Sequence, residues 1–248
     1  MATLIVALDL PEKDAALALA EKLRRVDGWT LWCKVGLELF TVCGPALLES
    51  LNKLGYKIFL DLKFYDIPHT VAGAVRAAAV YADMLTLHCQ GGERMCRAAR
   101  RMLETLAHEE SLRIKTAEML ESSGRPDASP LLFGVTALTS FAAGEMPGVA
   151  LTPSAFAVYL AAKARAWGLD GVVCAGTEVK RIKAASPGLA CLCPGIRPQG
   201  FAADDQRRVM TPREAVQAGA DFLVIGRPIL SASDPVGALS GILQEICS

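Results

Sequence analysis

Two aspartates and a lysine lie within six positions of the stretch Phe59–Thr70, and the sequence concentrates its potential chemistry there. Residues 57–64 predict a β-strand, in which Asp61 and Lys63 project from the same face because side chains alternate. Burying both charges has a large desolvation cost, which an internal ion pair could offset. Asp66 follows where the strand should end, and this third charge at the end of the strand favours a functional site over an isolated ion pair.

Eight short apolar segments alternate with eight helical patterns, and these elements must position the charges. The apolar segments span residues 4–9, 29–36, 57–64, 84–89, 131–138, 171–175, 190–196 and 222–226. The alternation predicts an α/β fold, a (β/α)8 TIM barrel. We expect residues 1–248 to form one barrel domain, with a surface extension at about 108–130. A doubly wound open sheet is the alternative, but no segment is followed by the GxGxxG dinucleotide fingerprint.

Polar residues stand at the carboxyl ends of the predicted strands, which converge on the face that carries the chemistry of a barrel. Besides Asp61 and Lys63, they are Asp9, Lys34, His88, Thr136, Thr139, Ser140 and Arg227. Structural explanations exist for several of them. Lys34 could extend its long stem out of the barrel. His88 is also compatible with a hydrogen-bonded core residue, and Thr136 with a β-branched barrel residue.

Strand eight and the loop after strand seven carry residues suited to phosphate. Gly226 would let backbone N–H groups approach ligand oxygens, and Arg227 offers a planar, permanently charged fork. Both follow strand eight, where this fold often binds phosphate. The loop at 194–200 and the segment 205–208 add glycine, arginine and glutamine, which suit further contacts to a phosphorylated ligand. A solvated, charged turn is the structural alternative for this loop.

The composition argues against several functional classes. In 248 residues, 26 lysines and arginines balance 26 aspartates and glutamates, so no global field favours nucleic acid or an anionic membrane. We expect neither a signal peptide nor a transmembrane helix. The eight cysteines are scattered without a CxxC motif, which favours a reduced, cytoplasmic protein without disulfides or zinc.

Five motifs occur in an order that resembles orotidine 5′-phosphate decarboxylase of the bacterial type. They are Asp-Leu-Lys-Phe-x-Asp-Ile-Pro-x-Thr at 61–70, Leu-Thr-Ser at 138–140, Pro-Gly-Ile-Arg-Pro-Gln-Gly at 194–200, Asp-Gln-Arg-Arg at 205–208 and Ile-Gly-Arg-Pro at 225–228. The resemblance spans nearly the whole chain. It implies a (β/α)8 barrel that forms a homodimer. It also implies conversion of orotidine 5′-monophosphate (OMP) to uridine 5′-monophosphate (UMP) and CO2, the last step of UMP synthesis, without cofactor or metal.

Residue by residue, the resemblance implies an alternating charged network of Lys34, Asp61, Lys63 and Asp66. Asp66 and Thr70 would enter the active site of the partner subunit, so that each site would be shared. Asp9 would hold a ribose hydroxyl, as would Lys34 in part. Near the pyrimidine ring would lie Thr139 and Ser140. The remaining nucleotide contacts would come from Arg197, Gln206, Gly226 and Arg227, the last two on the phosphate.

Two positions inside the central motif depart from the commonest bacterial version. Tyr65 and His69 stand where that version has His and Asn. In a continued strand, Tyr65 would point away from the face that carries Asp61 and Lys63. Because His69 lies between matched positions, neither departure takes a catalytic role from the motif.

The implied reaction needs a fixed cation and a proton donor, because loss of CO2 from C6 leaves a vinylic carbanion without an adjacent electron sink. Lys63 fits both needs, and our hypothesis is that it protonates C6 while Asp61 and Asp66 orient it. Two alternatives stay open. A magnesium-dependent sugar-phosphate enzyme on the same barrel could carry DxKxxD, although Lys34 stands where it would place a metal-binding carboxylate. A catalytically silent nucleotide-binding barrel is the other.

Overall fold

The structure, a computed structural model, describes residues 2–26, 32–117, 129–198 and 210–247. Within these ranges eight parallel strands pair in sequence order, and the eighth closes on the first. The strands are β1 (Thr3–Ala7), β2 (Trp32–Gly36), β3 (Lys57–Phe64), β4 (Met84–His88), β5 (Leu131–Val135), β6 (Gly171–Val173), β7 (Ala190–Cys193) and β8 (Phe222–Ile225). The predicted (β/α)8 barrel is therefore confirmed.

Helices connect the strands on the outside of the barrel. They are α1 (Lys13–Leu23), α2 (Leu37–Cys43), α3 (Pro45–Lys53), α4 (Pro68–Ala79), α5 (Gly92–Ala117), α6 (Pro153–Ala166), α7 (Val179–Ala185), α8 (Pro212–Ala218), α9 (Arg227–Leu230) and α10 (Pro235–Cys247). The sequence did not predict α2 and α9, which have seven and four residues. None of the helices in the described ranges has the length and apolar character needed to span a membrane.

The expected extension at about 108–130 falls partly within the described residues. Its first part, up to Ala117, continues helix α5. Residues 118–128 lie outside the described residues.

The core has two layers, and the alternation of β3 shows how one strand contributes to both. Ile58 and Leu60 are fully buried between the strands and the helices. Phe59 points the other way, into the barrel, where it packs with Phe133 and Val224. Because this inner cluster fills the barrel, a ligand can enter only above it, at the carboxyl ends of the strands.

Candidate active site

Four charged side chains, one just after β1 and three on β2 and β3, meet at the carboxyl end of the barrel. The strand register places Ala7 beside Lys34, and Gly36 beside Asp61. The Nζ of Lys34 lies 2.7 Å from Asp9 Oδ1 and 4.0 Å from Asp61 Oδ2. The Nζ of Lys63 lies 2.7 Å from the same oxygen of Asp61. Two ammonium groups thus share one carboxylate. We call Asp9, Lys34, Asp61 and Lys63 the charged array.

The inner members of the charged array are shielded from water. The side chains of Lys34 and Asp61 are 11% and 12% exposed, and that of Lys63 is 27% exposed. Asp9 lies at the rim with an exposed side chain. Electrostatic interactions are stronger where water is excluded, so Lys34, Asp61 and Lys63 act on one another and on a ligand at low effective dielectric.

Gly36 makes room for the ion pair between Lys34 and Asp9. A Cβ at this position would lie 3.0 Å from the Nζ of Lys34 and 3.3 Å from Asp9 Oδ1. Any side chain here would therefore displace the ammonium group or its partner. The sequence shows only a glycine at the end of an apolar strand, which does not identify this role.

Strand β3 has a β-bulge at the residues that include Asp61 and Lys63, its two members of the charged array. Leu60 pairs with Leu85, and the next pair is Phe64 with Leu87, so β3 advances four residues while β4 advances two. Within the bulge Lys63 has φ 50°, the only positive φ among the described non-glycine residues. A lysine in this left-handed region is uncommon and costs about 1–3 kcal/mol, which the surroundings must offset.

Thr86 on β4 bonds to both sides of this bulge. Its hydroxyl accepts a 3.0 Å hydrogen bond from the backbone N–H of Lys63 and donates a 3.0 Å bond to Asp61 Oδ1. The side chain is fully buried. Sequence reasoning missed Thr86, although it was visible as a polar residue on a buried strand, two positions before His88.

His88 follows Thr86 on the same face of β4. It is half-buried, and its Nδ1 has no hydrogen-bond partner in the described part of the chain. The sequence left open that His88 is a hydrogen-bonded core residue. Within the described residues, its Nδ1 does not make such a hydrogen bond. Burial lowers the pKa of His88 from its ordinary value, and the positive charge of Lys63 lowers it further, against the opposing effect of Asp61.

Tyr65 lies against His88, with ring centroids 5.6 Å apart and planes inclined by 41°. The sequence predicted that Tyr65 would point away from the charged face. That prediction assumed a regular strand, whereas the left-handed conformation of Lys63 interrupts the alternation just before Tyr65. The exposed tyrosine therefore shares the mouth of the barrel with His88.

A cavity of about 240 Å³ opens beside the charged array. One wall is charged and consists of Lys34, Asp61 and Lys63. The other wall is apolar and includes Val135, Ala137, Val173, Leu192 and Val224. Thr139, which is buried, and Ser140, which is exposed, complete the lining. Thr136 is directed elsewhere and donates a 2.8 Å hydrogen bond to the carbonyl oxygen of Val173, which agrees with its structural explanation.

The residues predicted to hold phosphate lie across the barrel mouth from β3. Gly226 follows β8, and a Cβ there would approach Ala7 Cβ to 3.3 Å and Asp9 Oδ2 to 3.8 Å. Arg227 begins α9 and is exposed. Arg197 is buried after β7, where its Nη1 donates a 3.0 Å hydrogen bond to the carbonyl oxygen of Ile196. Gln206 lies outside the described residues.

Asp66 and Thr70 do not join the array of their own chain. Both are exposed, and neither lines the cavity. Asp66 Oδ1 accepts a 2.6 Å hydrogen bond from the backbone N–H of Ile67, which fixes the carboxylate at the start of α4. Within one chain, therefore, the motif divides into Asp61 and Lys63, which line the cavity, and Asp66 and Thr70, which are exposed and do not.

The described residues offer no cluster of three or more His, Cys, Asp or Glu side chains that could hold a metal ion. All eight cysteines are described, and all are free thiols.

Comparison with known proteins gives consistent matches over the whole chain. The model of the orotidine 5′-phosphate decarboxylase / HUMPS family matches residues 2–242. The chain is similar to the orotidine 5′-phosphate decarboxylase of Nitratidesulfovibrio vulgaris strain DP4, with 49% identity over 100% of this chain and 99% of that protein. It is 47% identical to that of Lawsonia intracellularis, over 99% and 100% of the two chains. The crystal structure of the Lactobacillus acidophilus enzyme of the same name superposes with a TM-score of 0.80 at 32% identity and covers all of both chains.

Proposed function

The chain belongs to the orotidine 5′-phosphate decarboxylase / HUMPS family, and from this premise we propose that it decarboxylates OMP to UMP and CO2, the last step of UMP synthesis. The observation that carries the proposal is the charged array beside an apolar-walled cavity at the carboxyl end of the barrel. Relatives of nearly equal length at 47% to 49% identity carry this enzyme name, which supports the assignment of the substrate.

In the proposed mechanism Lys63 is the proton donor. The bond between C6 and the carboxylate breaks, CO2 leaves, and the electron pair stays on C6. A proton moves from the Nζ of Lys63 to C6, and the neutral amine regains a proton from solvent. Asp61 holds the ammonium group 2.7 Å away before the reaction. The positive charge is therefore already in place where the negative charge develops, so little reorganisation is needed in the transition state.

The substrate would use both walls of the cavity. Its pyrimidine ring would lie on the apolar wall, with Thr139 and Ser140 at the ring edge. Asp9 and Lys34 would contact the ribose hydroxyls. Arg197, Gln206, Gly226 and Arg227 would hold the rest of the nucleotide, with Arg227 and the Gly226 backbone on the phosphate. Binding energy at the distant phosphate would then contribute to lowering the barrier at C6.

The test follows the ultraviolet spectrum of OMP on addition of purified protein in chelator-treated buffer. We expect conversion to UMP, and at least about a 10³-fold lower kcat for Lys63→Ala, because this change removes both the proton donor and the fixed cation. Absence of turnover by the wild-type protein would refute the proposed reaction. Near wild-type turnover by Lys63→Ala would refute the proton-donor role and leave the reaction standing.

The same assay separates the alternatives. A magnesium-dependent enzyme on this barrel would lose activity in chelator, whereas the proposed reaction would continue. Lys34 supports this distinction, since its ammonium group lies between the carboxylates of Asp9 and Asp61 and would repel a divalent cation. A silent nucleotide-binding barrel would bind UMP but leave OMP unchanged.

We also propose a homodimer in which Asp66 and Thr70 complete the site of the partner subunit. Two observations support this arrangement. Asp66 and Thr70 are exposed and do not line the cavity of their own chain, and Tyr65 and Ile67 beside them are 59% and 65% exposed. Exposed apolar side chains next to a charged functional segment are typical of an interface. A mass measured in solution by light scattering should equal that of two chains, and a monomer at micromolar concentration would contradict the proposal.

Two further expectations belong to this proposal. We propose that residues 1–248 form one domain, with the segment at about 108–130 as an extension of unassigned function. A cytoplasmic location and independence from cofactors remain predictions from the sequence. Fractionation of cells and activity after dialysis against chelator would test them.

A further inference from the structure

The bulge in β3 holds Lys63 in a left-handed conformation, and the ion pairs of the charged array do not account for it. A β-bulge leaves backbone groups of the bulged strand without their regular partners. Here three residues of β3, Asp61 to Lys63, oppose the single residue Thr86 of β4. The hydrogen-bond partner for the backbone groups of the bulge must therefore come from Thr86 itself or from residues outside the pairing of β3 with β4.

Thr86 supplies that partner with its side chain. Its hydroxyl accepts the hydrogen bond from the backbone N–H of Lys63 and donates one to the carboxylate of Asp61, both at 3.0 Å. A hydroxyl can do both at once, because it has one donor and two acceptor lone pairs. The same atom thus fixes the backbone that carries the lysine and the carboxylate that orients its ammonium group.

The contacts that follow along β4 continue this support. Leu87 pairs with Phe64, and the ring of His88 lies 5.6 Å from that of Tyr65. Three successive residues of β3 and its end thus contact three successive residues of β4: Lys63 with Thr86, Phe64 with Leu87, and Tyr65 with His88. The strained lysine lies at the start of this sequence of contacts, where the hydroxyl of Thr86 is the direct link.

We propose that Thr86 is a positioning residue for the catalytic lysine. It acts through Lys63 and Asp61 and does not line the cavity. The inference rests on the proposed function, because it assumes that Lys63 donates the proton. Misplacement of a reacting group by about 1 Å is enough to reduce a rate by about 10²-fold. Loss of the hydroxyl should therefore lower kcat more than KM, because the phosphate-binding residues do not change.

The test compares three variants. Thr86→Val keeps the volume and β-branching but removes both hydrogen bonds, and we expect kcat to fall about 10²-fold with KM within about threefold. Thr86→Ser keeps the hydroxyl and should retain kcat within about threefold. Thr136→Val is the matched control, since Thr136 is also a buried threonine, it directly follows β5, and its hydroxyl bonds to a backbone carbonyl oxygen. Its kcat should equal that of the wild type.

Wild-type turnover of OMP is measured first, so that the two proposals fail separately. If the wild type is inactive, the proposed function fails. If the wild type is active and Thr86→Val keeps kcat within threefold, the positioning role is overturned. An equal loss in Thr86→Ser or in Thr136→Val also overturns it, because the hydroxyl at position 86 would then not be the cause. Thr86→Ala provides the same comparison if the valine variant does not fold, and UMP affinity verifies that each variant is folded.

Discussion

The two walls of the cavity differ in how their residues are held. On the charged wall, each side chain is fixed by hydrogen bonds to other members of the array or to Thr86. On the apolar wall, Val135, Val173 and Leu192 are fixed by packing inside the barrel and offer no polar side-chain group. The charged wall therefore holds its polar groups at specific positions, whereas the apolar wall provides only a surface of defined shape.

This difference assigns different tasks to the two halves of the barrel. Hydrogen-bonded charges in a shielded site stabilise a charge that develops at one point, and the proposed reaction develops its negative charge at C6. In the proposed complex the apolar wall would bind the flat ring equally well before and during the reaction, so it would contribute uniform binding. Changes on the charged wall should therefore lower kcat, and changes on the apolar wall should raise KM.

The largest effect should come from Asp61→Asn. This change removes the carboxylate shared by Lys34 and Lys63, and their ammonium groups then repel each other. We expect kcat to fall at least about 10³-fold. Asp221→Asn is the matched control, because Asp221 pairs with Lys183 at 2.6 Å just before β8, at the opposite end of the barrel. It should reduce stability and leave kcat unchanged. Similar kinetic losses in both variants would show that the charged wall has no special role.

A subunit-mixing experiment tests whether the charged wall is completed by a second chain. Lys63→Ala and Asp66→Ala proteins should each be nearly inactive. After exchange of subunits in equal amounts, half of the dimers are mixed, and each mixed dimer has one intact site. About a quarter of wild-type activity should therefore return. If mixing restores nothing although the subunits exchange, Asp66 serves its own chain or only the fold.

A smaller effect is expected on the apolar wall. Val173→Ala removes two methyl groups from a half-buried side chain that lines the cavity. The lost contact is worth about 1 kcal/mol, which corresponds to an approximately fivefold higher KM with little change in kcat. Steady-state kinetics on OMP would measure both values. A drop in kcat larger than the rise in KM would contradict the division of tasks between the walls.

The sequence predicted the fold better than it predicted the local geometry of the charged wall. Alternating apolar segments and helical patterns were sufficient for the barrel, because each strand is buried on both faces and appears as a continuous apolar run. Strand ends were less certain. The fifth segment was predicted to reach Leu138, whereas β5 ends at Val135. Residues 136–138 are Thr-Ala-Leu, a β-branched residue followed by two apolar ones, which would also suit a strand, so composition could not mark the boundary.

The pairing of Asp61 with Lys63 could be predicted from their spacing, but the bulge that carries it could not. A lysine does not favour a positive φ, so no residue type signals the left-handed conformation at position 63. The contact between Thr86 and Asp61 joins residues 25 positions apart and depends on the register of β3 against β4. That register is a property of the closed barrel, which local patterns do not contain.

The smallest effect concerns the pH dependence of stability, and it arises from His88 at the edge of the charged wall. Burial and the nearby Lys63 lower the pKa of His88, so the folded protein binds this proton less readily than the unfolded chain does. Stability should therefore fall as the pH decreases through the ordinary histidine value of about 6.5 towards the lower pKa of the folded state, and should not depend on His88 above that range. In His88→Gln, the loss of stability between pH 7 and pH 5 should be smaller than in the wild type. His69→Gln is the control, since it removes an exposed histidine and leaves the half-buried one in place. Urea denaturation at several pH values would measure this difference, and equal pH profiles for wild type and His88→Gln would show that the folded protein does not disfavour a charge on His88.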